Sequence, residues 1–121
     1  MKAILPLLAL AACSAELTLD DWIYAGGDTF IQRLEIEASR GDAVPEFGFI
    51  IRIDRETTEF YYVKARIQCA RDRMLILRSE HHLKDVLLSS GKPKKTQWYV
   101  ITPNTPADGL KKAVCNPTET I

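Results

Sequence analysis

Trp98-Tyr99-Val100-Ile101-Thr102-Pro103-Asn104-Thr105-Pro106-Ala107-Asp108-Gly109-Leu110-Lys111-Lys112-Ala113-Val114-Cys115 decides how the rest of the chain is read. Its aromatic and β-branched start predicts a last strand over Thr96–Ile101. Pro103 and Pro106 mark a corner. Thr105-Pro106-Ala107-Asp108 then follows the capping-box pattern, with Asp where Glu or Gln is usual and proline at the first helical position. Helical spacing from there sets Leu110, Ala113 and Val114 on one face and Lys111 and Lys112 outside. The stretch reads as strand, corner and closing helix, and it ends in a cysteine.

A helix with one apolar face needs a sheet to cover, and the preceding sequence supplies one. Phe47, Phe49, Ile51 and Ile53 alternate with other residues up to Asp54. Asp54-Arg55-Glu56-Thr57 carries turn chemistry, and Phe60 to Cys69 alternates again, with Tyr61, Val63, Ala65, Ile67 and Cys69 on one parity and Tyr62, Lys64, Arg66 and Gln68 on the other. The two runs predict a β-hairpin with Cys69 on its inward parity. Around them, strands are expected at Leu17–Tyr24, Phe30–Glu37 and Arg73–Glu80, with a weaker one over Lys84–Leu88. Gly26-Gly27-Asp28, Ser39-Arg40-Gly41-Asp42, Ala70-Arg71-Asp72 and Ser89-Ser90-Gly91-Lys92-Pro93 are expected as turns or loops. Successive strands with short connections and one final helix predict an α+β domain with a single antiparallel sheet.

The chain has 121 residues and a formal net charge of zero, which bounds it to one domain and argues against a dedicated nucleic-acid binder. Charge is nevertheless uneven: Glu16–Val63 carries 11 acidic and 4 basic residues, and Lys64–Ile121 carries 5 and 11. Solvated faces of opposite sign account for this, as does a basic surface that meets a polyanion or an acidic partner.

Met1-Lys2-Ala3 followed by the apolar run Ile4–Ala12 has the layout of a secretory signal, too short to span a bilayer. Leu10-Ala11-Ala12-Cys13 resembles the lipobox of bacterial lipoproteins, in which cleavage precedes a cysteine that then carries diacylglycerol and a further acyl chain such as palmitate. Cleavage after Ala15 is the alternative, since Cys13-Ser14-Ala15 also suits a signal-peptidase site. The lipobox reading divides the chain into a signal over 1–12, a lipid-anchored tether over 13–20, a domain over 21–116 and a tail over 117–121. By resemblance to enterobacterial sorting, Ser14 after the cysteine favours the outer membrane. The tether reaches roughly 25 Å at about 3.3 Å per residue, so the domain sits close to its membrane.

Cysteine arithmetic agrees with lipidation. Three cysteines leave one odd thiol, and acylating Cys13 leaves Cys69 and Cys115 as a pair in an oxidising compartment. A disulfide between them is the expected state; free thiols or metal ligands are the alternative, without a CxxC pattern or histidine cluster to support a metal. His81-His82 are adjacent in an extended chain and point to opposite faces, which suits chelation poorly. Ser89 and Ser90 lack a Gly-x-Ser-x-Gly frame, and Glu35 and Glu37 are expected on the solvent side of a strand. No convergent catalytic set emerges, and the reading is a non-enzyme without cofactor. Tyr62, Lys64, Arg66, Arg71, Arg73 and Arg78 are the candidate binding surface, because arginine and tyrosine are enriched at binding hot spots. Lys92, Lys94 and Lys95 complete the basic part, and edge protection explains lysines of that kind equally well.

With these pieces in order, the chain from Trp22 to Cys115 resembles the surface-adhesin protein E family of bacterial lipoproteins. The resemblance lies in Trp22, Phe30-Ile31, the strand end Ile67-Gln68-Cys69, the turn glycine Gly91, and above all Trp98-Tyr99-Val100-Ile101-Thr102-Pro103 leading through Leu110 to Val114-Cys115. Asn104-Thr105 stands where the family has a glycine-serine corner. The resemblance implies a six-stranded antiparallel sheet with a C-terminal helix, a Cys69–Cys115 bridge and an outer-membrane lipoprotein. It also implies, for some members, binding of host matrix and serum proteins such as vitronectin, laminin and plasminogen. A bacterial envelope protein is the other class of partner.

Overall fold

The computed structural model describes residues 21–115. The lipobox, the tether and the tail after Cys115 lie outside the described residues, as do the first residues of the strand expected from Leu17. Among the described residues, seven strands form one antiparallel sheet: β1 (Trp22–Gly26), β2 (Thr29–Gln32), β3 (Glu46–Asp54), β4 (Glu59–Gln68), β5 (Arg73–Leu83), β6 (Val86–Gly91) and β7 (Trp98–Val100). The spatial order β1-β2-β3-β4-β5-β6 follows the chain order, and β7 returns to pair with β5. Two helices, α1 (Arg33–Ala38) and α2 (Pro106–Cys115), accompany the sheet among the described residues. The α+β class, the antiparallel sheet and the closing helix are therefore as the sequence predicts.

The predicted hairpin is the centre of the sheet. β3 and β4 pair from Glu46↔Arg66 to Asp54↔Glu59, and Phe47, Phe49, Val63, Ala65 and Ile67 on the inward parity are buried. Against them α2 lays Leu110, Ala113 and Val114, each essentially inaccessible, with Ile31, Met74 and Ile101 filling the margins. Each such large side chain contributes roughly 1.5–3 kcal/mol of burial. The helix covers only part of this face. Ile51, Ile53 and Tyr61, farther along the same parity, remain exposed.

Two elements depart from the sequence reading. Phe30–Glu37 is not one strand: β2 stops at Gln32 and the chain turns into α1. In the strand reading Leu34 and Ile36 share a face, but Leu34 is 68% exposed and Ile36 fully buried beside Ile31. Arg33-Leu34-Glu35-Ile36-Glu37-Ala38 consists largely of good helix formers. The helix also solves a pairing problem, because β2 meets β3 only at Ile50 and Ile51. Beside the earlier part of β3, Gly48 N–H donates instead to Glu35 Oε1 at 2.9 Å. Glu35 is thus a backbone acceptor, not a residue on a strand face. Likewise Ser89-Ser90-Gly91 is not a turn; these residues lie in β6, and the chain reverses earlier, at Lys84-Asp85. His81 and His82 fall within β5, which runs to Leu83.

The closing segment is fastened at both ends. Asp108 N–H donates to Thr105 Oγ1 (3.4 Å), while the Asp108 carboxylate accepts from Asn104 N–H (3.0 Å), one residue further back than the usual reciprocal bond. Asn104 sits at φ 65°, in the left-handed region, and this bond helps hold it there. At the other end Cys115 is bonded to Cys69, and Lys111 pairs with Asp72 in the β4–β5 turn.

The Asn104 hydrogen bond, followed by the Lys112 charge, holds the Asp108 carboxyl below its ordinary value of 3.8. Its stabilising contribution is therefore present above pH ~4 and is lost as pH falls through the lowered folded value. Asp108→Asn is expected to cost about 1 kcal/mol at pH 7. In urea titrations across pH 2–7, it should also flatten the acid limb. An unchanged limb would remove Asp108 from the account.

Candidate binding surface

The sheet face opposite α2 gathers most of the predicted basic residues. Tyr62, Lys64 and Arg66 stand on it by strand alternation against the buried Val63, Ala65 and Ile67. Arg73 joins them at the start of β5, paired with Gln68. Arg78 arrives by a less visible route. Ala65 pairs with Ile76, but Lys64 pairs with Arg78, so one extra residue is accommodated at Leu77. This bulge reverses the parity of the rest of β5 and brings Arg78, Glu80 and His82 to the outer face. Arg71 lies apart, in the β4–β5 turn at the end of the band.

Ion pairing divides this band. Arg66 donates to Glu46 Oε1 at 2.9 Å, and Arg78 pairs with Glu80, whose carboxylate also accepts from His82 Nε2 at 2.9 Å. Those two partners, His82 foremost, hold the Glu80 carboxyl below its ordinary value. Among the described residues, Lys64, Arg71 and Arg73 have no carboxylate partner. Lys64 is directly opposite Arg78, a juxtaposition of like charges that the Glu80 carboxylate on Arg78 offsets in part.

Aromatic groups flank the basic band. Tyr62 lies across Gly48 so closely that a Cβ there would sit 2.5 Å from the phenol Cζ, which explains glycine in the middle of a central strand. Phe60 stacks on the His82 ring at a centroid distance of 5.0 Å. Toward β1, the Arg52 guanidinium rests over the Phe30 ring at 4.9 Å and lies 3.6 Å from Asp28, with Tyr24 beside Phe30. The surface is therefore a mixed aromatic and cationic sheet face. Phe30, Arg52, Phe60 and His82 belong to it although the sequence reading did not select them. Strand parity could have found Phe60 and Arg52, each on the outward parity of its strand.

The opposite end of the α2-covered face carries a separate cluster. His81 Nε2 hydrogen-bonds to Glu59 Oε2 at 2.7 Å beside the Tyr61 ring, and Ser89 is the cross-strand partner of His81. No hydrogen bond joins Ser89 to His81 among the described residues. Among the described residues, no group of three or more His, Cys, Asp or Glu side chains is placed to hold a metal ion, and no helix is long and apolar enough to cross a membrane. Comparison with family models, with characterised proteins and with solved structures returned no match.

Proposed function

We propose that this protein is a lipid-anchored module of the bacterial envelope, held at the outer membrane through Cys13, which binds a protein partner on its uncovered sheet face. The observation that carries the reading is that face itself. Arg78 and Lys64, which has no carboxylate partner among the described residues, stand side by side, with Arg66, Arg73 and Tyr62 around them, on the side of the sheet that α2 leaves open. Tyrosine loses little conformational entropy on docking and arginine offers charge with several directed donors, which suits the pair to protein recognition. The lipobox supports the anchor, and the resemblance to the adhesin protein E family supports a host matrix or serum protein as the ligand.

The test uses protein released from its anchor by Cys13→Ala, which should move to the soluble fraction. Binding to immobilised vitronectin, laminin and plasminogen is measured against salt. Lys64→Glu/Arg78→Glu should weaken binding at least tenfold, and the wild-type affinity should fall as salt rises. Binding that ignores both changes would sink the surface, and retention of Cys13→Ala in membranes would sink the anchor. The short tether favours a second reading, an accessory lipoprotein facing the periplasm and partnering an envelope complex. Surface labelling of intact cells decides between them: an unlabelled protein supports the periplasmic reading.

A further inference from the structure

We propose that β6 is a docking edge for an extended peptide strand whose apolar centre is flanked by acidic residues. This rests on a different surface from the basic face above, and stands or falls without it. β6 ends the strand order of the sheet, and all six of its residues, Val86 to Gly91, are exposed. An edge strand of this kind offers a row of backbone N–H and C=O groups to an incoming strand.

Val86, Leu87 and Leu88 give the edge an apolar centre, each about half exposed. Charge then selects the partner. Lys84 precedes the strand and Lys92, Lys94 and Lys95 follow it, against Asp85 as the single nearby acid of that segment. The lysines after β6 occupy a break in the edge, since β6 pairs with β5 up to Ser79↔Gly91 and β7 resumes only at Leu75↔Trp98.

Other occupants fit less well. Two copies paired antiparallel through β6 about a two-fold axis bring like charges together: centred on Leu88 the pairing sets Lys84 against Lys92, and centred on Ser89 against Lys94. A lipid surface would meet the lysines and leucines favourably. It would also strip water from the open backbone groups without replacing their hydrogen bonds, which hydrocarbon cannot do. A strand with acidic ends satisfies backbone, apolar centre and charge together.

The experiment uses the full chain purified in mild detergent, with two labelled peptides. One is Glu-Asp-Thr-Val-Thr-Val-Thr-Asp-Glu, and the other has lysine in place of every acid. The acidic peptide should bind at least tenfold more tightly by fluorescence anisotropy. It should also slow amide exchange across residues 86–91 while leaving exchange at Lys64 and Arg66 unchanged. Lys92→Glu/Lys94→Glu, two exposed changes outside any strand, should invert the preference with the fold intact by circular dichroism. Equal binding of the two peptides, or binding by neither, overturns the proposal. So does protection of residues 86–91 without peptide, either in a self-associated form or on phosphatidylglycerol liposomes.

Discussion

Cys69→Ser/Cys115→Ser is expected to lower the unfolding free energy by about 4 kcal/mol. The bridge closes 46 residues of chain, from the end of β4 to the last residue of α2. Cutting it restores to the unfolded ensemble the freedom that a loop of this length had lost. For a domain whose net stability is about 5–15 kcal/mol, that is a large fraction of the total. Lys111–Asp72 still links α2 to the same turn, but a surface ion pair contributes only about 0–1 kcal/mol and does not replace the bridge. Urea unfolding of the oxidised wild type, the reduced wild type and the double variant checks this. Reduction should reproduce the variant's loss in the wild type and change nothing in the variant. A loss below about 1 kcal/mol would show that residual structure in the unfolded chain already holds the two ends together.

Gly109→Ala is the second large effect, and two terms of opposite sign decide it. Alanine is the better helix former by about 1 kcal/mol, so an exposed helix would gain. Here α2 crosses β1 with Gly109 against Ala25. A Cβ at Gly109 would overlap the Ala25 carbonyl oxygen and lie 2.7 Å from its carbon and 3.0 Å from its Cα. These are backbone atoms of a strand paired with β2, on a helix tied down at Cys115, and no side chain can swing aside. Overpacking of this kind costs about 1–3 kcal/mol and sometimes more. The variant should therefore be destabilised by about 2 kcal/mol, or roughly 10 °C in Tm for a domain of this size. Gly91→Ala is the control: a Cβ there meets nothing within 4 Å, and no loss is expected. A Gly109→Ala protein as stable as the wild type would mean that α2 does not lie this close to β1.

What could be read from the sequence follows from which signals were local. Alternation through Phe47–Asp54 and Phe60–Cys69 is a local signal, and it gave the central hairpin and its buried parity. The cap and apolar face of Thr105–Val114 gave the helix, and the cysteine count gave the bridge. Where neighbouring strands impose the outcome, the sequence is silent. Leu34 and Ile36 look like strand positions, yet β2 finds β3 only at Ile50 and Ile51, and a helical turn carrying Glu35 serves the rest of that edge. Ser89-Ser90-Gly91 has turn composition, but an exposed edge strand has no apolar requirement to betray it. The binding face was half legible. Tyr62, Lys64 and Arg66 share a face by parity alone, whereas Arg78 reaches them through the bulge at Leu77, a matter of pairing register between β4 and β5 that composition does not show.

The order of the sheet sets a sequence of events in folding. Strands β1 to β6 pair with their neighbours along the chain, so the sheet closes only short loops as it forms. α2 differs: it rests on β1, and the first and last described elements of the domain meet only when everything between them is in place. On a chain that emerges from its N-terminus, the sheet can zip while α2 is still unavailable, and the inner face stays bare until the helix arrives. Oxidation of Cys69 with Cys115 then acts as a lock that closes after assembly rather than a guide to it. Refolding from the reduced chain should regain the sheet's circular dichroism signal before the thiols disappear.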